Sequence, residues 1–187
     1  MDPAGWNLLQ EELAARGTIA IWGHLDLGLA TRAAARLMEH DAVSDTRARL
    51  RLHTSSGGSS AALTVTDTIA ALGVPTEVTA VGAVQGRASG CWPWPGAGWQ
   101  LATARWPLPP IDCRWRGQWG GLARFLDAEW RDQKRWRDQV AQATGRPPEL
   151  VEADLGAALV LPSEAALRYR LIDEVVGSPG SWAGSGK

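Results

Sequence analysis

The chain has 187 residues, a formal net charge of −1 and 45% hydrophobic side chains. That balance excludes electrostatic capture of nucleic acid or of an anionic membrane, and the length fits one domain with a sizeable core. No apolar run is long enough to span a bilayer and no secretory signal is present, so the cytoplasm is the expected compartment. In chain order, Leu8-Leu9-Gln10-Glu11-Glu12-Leu13 reads as helical. Short apolar runs at 19–22, 49–53 and 77–81 suit buried parallel strands, which show continuous apolar character rather than strict alternation. Residues 30–40 place Ala, Leu and Met between arginines at helical spacing, as an amphipathic helix does. Residues 128–144 form a longer helical pattern stopped by Gly145, with Pro147 and Pro148 just beyond it. Strands alternating with helices indicate repeated βαβ units and an α/β fold. We expect one domain over 1–176 and a flexible tail over 177–187. Cys91 and Cys113 read as free thiols in a chain without a secretory signal. Three histidines and two cysteines show no ligand-like spacing, so neither a metal nor another cofactor is expected.

Several landmarks then follow one another in a telling order. His53-Thr54-Ser55-Ser56-Gly57-Gly58-Ser59 is a Gly-Gly turn leaving a short apolar strand, and Asp67-Thr68-Ile69 comes next. Val81-Gly82-Ala83-Val84-Gln85-Gly86-Arg87-Ala88-Ser89-Gly90, Thr144-Gly145-Arg146-Pro147 and the stretch from Pro162 to Asp173 complete the set. Together with Thr18 to Asp26 as a first strand and its turn, these resemble the proteolytic subunit of the caseinolytic (Clp) protease, over roughly residues 13–176. That family consists of serine peptidases that assemble into rings. The resemblance implies the Clp protease/crotonase-like fold, with spiral βαβ units and a protruding long helix, the handle.

The same resemblance removes the family's chemistry. A serine peptidase needs a nucleophile, a histidine base and an acid that orients the histidine. The family's Val-Gly-Met-Ala-Ala-Ser-Met-Gly places the nucleophile at Gly86, which has no side chain. The base position falls on Pro109 and the acid position on Ala158. No histidine follows His53, and the only lysines are Lys134 and Lys187, so sliding the alignment does not restore a base. A short insertion would make Ser89 the nucleophile, but it too would lack a histidine. What the resemblance retains is an oxyanion-hole-like backbone, Gly57 and Gly58 with the amides of Gly58 and Arg87.

The implied function is therefore a catalytically inactive structural or regulatory ring subunit, heptameric by resemblance, alone or in mixed rings with active Clp proteolytic subunits. The short segment before Gly17 reads as helical rather than as an axial loop, which argues against this subunit alone docking a partner ATPase. Eleven tryptophans distinguish the chain. Trp115, Trp119, Trp130 and Trp136 sit at or near the handle, where an aromatic ring with a polar N–H suits a subunit interface. Arginines 124, 131, 135 and 137 with nearby acids read as ion pairs along that helix. The alternative is an enzyme or binding protein of another class. It would use the retained backbone and a candidate pocket of Gln85, Ser89, Trp92 and Trp106 for a small carbonyl or acyl ligand, as in crotonase-like proteins.

Overall fold

A computed structural model describes residues 3–84, 98–107, 121–157 and 159–176; the side chains of residues 3–7, 83 and 98–107 fall outside the description. The chain begins with helix α1 (Pro3–Ala14), followed by strand β1 (Thr18–Leu25), helix α2 (Leu27–Val43), strand β2 (Ala48–Gly57), helix α3 (Ser59–Ala71) and strand β3 (Thr76–Val84). Strand β4 (Gly98–Pro107) and the long helix α4 (Leu122–Thr144) come next, then α5 (Pro148–Gly156), β5 (Val160–Pro162), α6 (Ser163–Arg168) and β6 (Glu174–Val176).

The expected strands at 19–22, 49–53 and 77–81 all form, each longer than its apolar run. They pair in sequence order: β1 beside β2, β2 beside β3 and β3 beside β4, all parallel. The free edge of β4 is shared. Near its start it pairs parallel with β6 through Gln100–Ala102, and near its end antiparallel with β5 through Arg105–Pro107. The molecule is thus an α/β protein with a small, mainly parallel sheet.

Side-chain period explains why each segment chose its element. In β2 the residues Ala48, Leu50, Leu52 and Thr54 are buried, while Arg49 between them is exposed. A period of two buries one face of a strand and wets the other. In α2 the buried set is Ala30, Ala33, Ala34, Leu37 and His40, a single helical stripe. Asp26 starts that helix by accepting the Leu29 amide at 2.7 Å, satisfying one of the donors every helix start leaves open. Helix α3 buries Ala61, Ala62, Val65 and Ile69 and packs against α2. Sequential strand order with right-handed crossovers puts successive helices on one face of a sheet, which is where two helices can touch.

Helix α4 departs from this pattern. It starts at Leu122 rather than at residue 128, and it buries only Val140, Ala141 and Thr144, all near its C-terminal end. Gly145 closes it in the left-handed region at φ 68°, donating to Ala141, the conformation that favours glycine after a helix. The charged residues of α4 reach other elements rather than forming only the expected pairs along the helix. Arg135 pairs with Asp67 of α3, and Arg137 bridges Asp138 and Glu152 of α5. Trp136 packs against the hydrophobic core, whereas Trp130 is 66% exposed beside the exposed Leu126. Trp115, Trp119, Cys91 and Cys113 lie outside the described residues.

The C-terminal elements are fastened by one polar cluster. Tyr169 donates its hydroxyl to Asp154 at 2.6 Å, and the Arg146 guanidinium lies 4.1 Å above the Tyr169 ring. Burial, reinforced by the bond to Asp154, pushes the tyrosine hydroxyl well above its ordinary range. An unfolded tyrosine ionises near pH ~10, so above that pH the unfolded chain has released a proton the folded chain still holds. Stability contributed by this group is complete below about pH 10 and is lost as pH rises further. The urea midpoint is therefore expected to fall more steeply between about pH 9 and pH 11 in the wild type than in Tyr169→Phe. Because the chain has one tyrosine, equal slopes in the two proteins would contradict the assignment.

Candidate functional site

In open α/β sheets, ligands bind beyond the carboxyl ends of the parallel strands. At that end three adjacent strands slip register together, between Gly23 and His24 in β1, Leu52 and Thr54 in β2, and Val81 and Ala83 in β3. Such bulges turn a strand and re-aim its side chains. Gly23 sits at φ +102° and Gly82 at φ +75°, values an L side chain rarely adopts. At Gly82 crowding adds to the requirement, because a Cβ there would lie 2.9 Å from His53 Nδ1.

The rearranged strand ends gather polar and aromatic groups. His53 donates from Nδ1 to the Val81 carbonyl at 2.8 Å; a carbonyl only accepts, so this bond fixes the proton on Nδ1. The Trp22 ring lies 5.2 Å from the His53 ring, tilted by 31°, and remains 44% exposed. One step further along the same two strands, His24 Nδ1 meets Ser56 Oγ at 2.6 Å. Sequence reasoning missed this pair. The residues are 32 positions apart, and pairing Trp22 with His53 predicts Ser55 opposite His24; the bulge inserts one residue and brings Ser56 there instead.

The Gly-Gly turn falls at the same end of the sheet. Gly57 is the last residue of β2 and pairs with Leu25, and Gly58 caps α3. The Gly58 amide donates to the Leu25 carbonyl at 3.2 Å, so it reaches a bound carbonyl only if that bond opens. Just beyond, Ser59 and Ser60 direct their hydroxyls to Glu129 and Asp132 of α4, at 3.4 and 3.5 Å. Helix α4 is thereby tied alongside the start of α3.

The other residues singled out by sequence divide simply. Gly86, Pro109 and Ala158, the triad-equivalent positions, lie outside the described residues, as do Gln85, Arg87, Ser89 and Trp92. Trp106 is placed through its backbone alone, in β4 opposite Leu161 of β5. His40, the remaining histidine, is buried and bonds the Thr46 carbonyl through Nε2 at 2.9 Å, closing the end of α2. Among the described residues no group of three His, Cys, Asp or Glu side chains is placed to hold a metal, and no helix is long and apolar enough to cross a membrane. No protein-family model matches this chain, and no curated protein matches it.

Proposed function

We propose that this chain is a ring subunit related to the proteolytic subunit of the Clp protease, without that family's peptidase centre. It would serve a structural or regulatory role, alone or in mixed rings with active paralogues. The observation that carries this reading is the position of Gly57-Gly58. The pair joins β2 to α3 at the carboxyl end of a sequentially ordered parallel ladder, where the family's Gly-Gly turn belongs. Downstream, a 23-residue helix ending at Thr144-Gly145 supports the handle of the Clp/crotonase-like fold. Leu126 and Trp130 on its exposed surface supply apolar side chains of the kind subunit interfaces bury. Ring closure requires a head-to-tail contact between different faces of successive protomers.

A mixed-ring role predicts a dose effect. Co-assembly of the tagged chain with an active Clp proteolytic subunit should give one co-eluting particle, whose peptidase rate per active subunit changes with the mixing ratio. Two separate elution peaks with an unchanged rate at every ratio would exclude the mixed ring.

A further inference from the structure

We propose that Ser56 and His24 form a nucleophile–base pair that accepts acyl groups from small activated esters or thioesters. Serine is a poor nucleophile until a neighbouring base takes its proton, and the first structural requirement is a hydroxyl within hydrogen-bond reach of an imidazole nitrogen. Ser56 Oγ and His24 Nδ1, at 2.6 Å, satisfy that distance. The contact is built into the backbone rather than made by chance between long surface side chains. Gly23–Thr54 and Leu25–Gly57 pair on either side of it, and the bulge between Gly23 and His24 selects Ser56 over Ser55 as the partner. Gly23 holds φ +102° although nothing lies within 4 Å of where its Cβ would be. Its unusual conformation therefore belongs to the turn of the strand, not to crowding.

The surroundings suit an acyl carbonyl. The pair stands at the carboxyl end of the parallel strands, and it is exposed to solvent. The amides of Ser60 and Ala61 precede the first bond inside α3, from Ala62 to Gly58. Unspent amides at a helix start favour developing negative charge. Trp22, on the same strand as His24 and 44% exposed, offers an apolar surface for the acyl chain.

In the reaction, Ser56 Oγ bonds to the carbonyl carbon as His24 Nδ1 takes the hydroxyl proton. The bond to the leaving alkoxide or thiolate breaks, and His24 returns the proton to that group, leaving acyl-Ser56. Water then repeats the sequence, giving the free acid and regenerating Ser56. This pair shares no residue with the triad-equivalent positions, and its activity rests on the β1–β2 register rather than on ring formation. Failure of one proposal would leave the other standing.

The test is covalent labelling of the full chain by a fluorophosphonate probe, with the adduct located by peptide mass. The expected result is a single adduct on Ser56, absent in Ser56→Ala. His24→Gln should slow labelling by about 100-fold or more, the usual scale of general-base assistance, and free imidazole should restore the rate to His24→Ala. Wild-type protein carrying no adduct on Ser56, or a label on Ser89 instead, would overturn the proposal. So would a His24→Gln rate equal to wild type. Because His24 is exposed and Ser56 only half-buried, the variants are expected to keep a urea midpoint close to wild type, and the wild-type adduct map decides the matter without them.

Discussion

Replacing Gly82 by alanine is expected to destabilise the fold by about 2–4 kcal/mol, although the change adds a single methyl group to an exposed position. Two costs combine. An L residue held at φ +75° pays roughly 1–2 kcal/mol for its left-handed backbone. The new Cβ would also stand 2.9 Å from His53 Nδ1, closer than carbon and nitrogen can approach. The ring cannot simply swing away, because that nitrogen is bonded to the Val81 carbonyl and the ring lies against Trp22. Moving it forfeits a hydrogen bond worth about 1 kcal/mol. Gly23→Ala separates the two costs. Gly23 shares the positive φ but has open space around it, so only the backbone cost applies. Urea midpoints should rank wild type above Gly23→Ala and Gly23→Ala above Gly82→Ala, with His53→Ala relieving part of the Gly82→Ala loss. Equal midpoints for the two glycine variants would show that His53 does not occupy the space above Gly82.

The second large effect lies in the core. Leu52 is fully buried on the interior strand β2, opposite Ile21 of β1 and Ala80 of β3. Truncation to alanine removes the apolar contacts and leaves a cavity that the two flanking strands, held by backbone ladders, cannot close. The expected loss is about 3–5 kcal/mol. A domain's whole stability is only about 5–15 kcal/mol, so Leu52→Ala should populate unfolded chains measurably at moderate urea. Val43→Ala, at a position 80% exposed at the end of α2, should change the midpoint hardly at all. A similar small shift for both variants would contradict the burial of Leu52 between β1 and β3.

The first half of the chain was legible because its signals are local. Ile19-Ala20-Ile21 and the stripe Ala30-Ala33-Leu37 each state their element without help from distant residues, whereas residues 49–53, expected as a continuous apolar run, form a strand whose burial alternates. Gly145 marked the end of α4 for the same reason: its left-handed conformation is a property of one residue. Strand β4 was harder. Gly98 to Pro107 mixes tryptophan, glutamine, alanine and arginine without a clear period, and its strand state is fixed by pairing with β3 on one side and with β5 and β6 on the other. The start of α4 was also misplaced. No Ser, Thr, Asp or Asn stands directly before Leu122 to announce a helix, and Gly121 supplies no side-chain cap.

The candidate site was legible only in part. Gly57-Gly58 could be found by eye as a turn, but the bond that occupies the Gly58 amide comes from Leu25, a residue brought near only by the β1–β2 ladder. His24 and Ser56 fall in two separate landmarks, and nothing in the sequence pairs them. They meet through a one-residue slip in that ladder, and a slip reverses every expectation about which side chain faces which. Likewise the need for glycine at position 82 is unreadable without knowing that β3 slips register there and that His53 fills the space above it.

The ring proposal stands or falls on assembly. The most direct measurement is the native mass of the purified chain alone by light scattering, across a range of concentrations. A closed ring predicts one particle several times heavier than the 20.0 kDa chain, constant on dilution until it dissociates as a unit. A particle of 20.0 kDa at every concentration would contradict self-assembly into a ring.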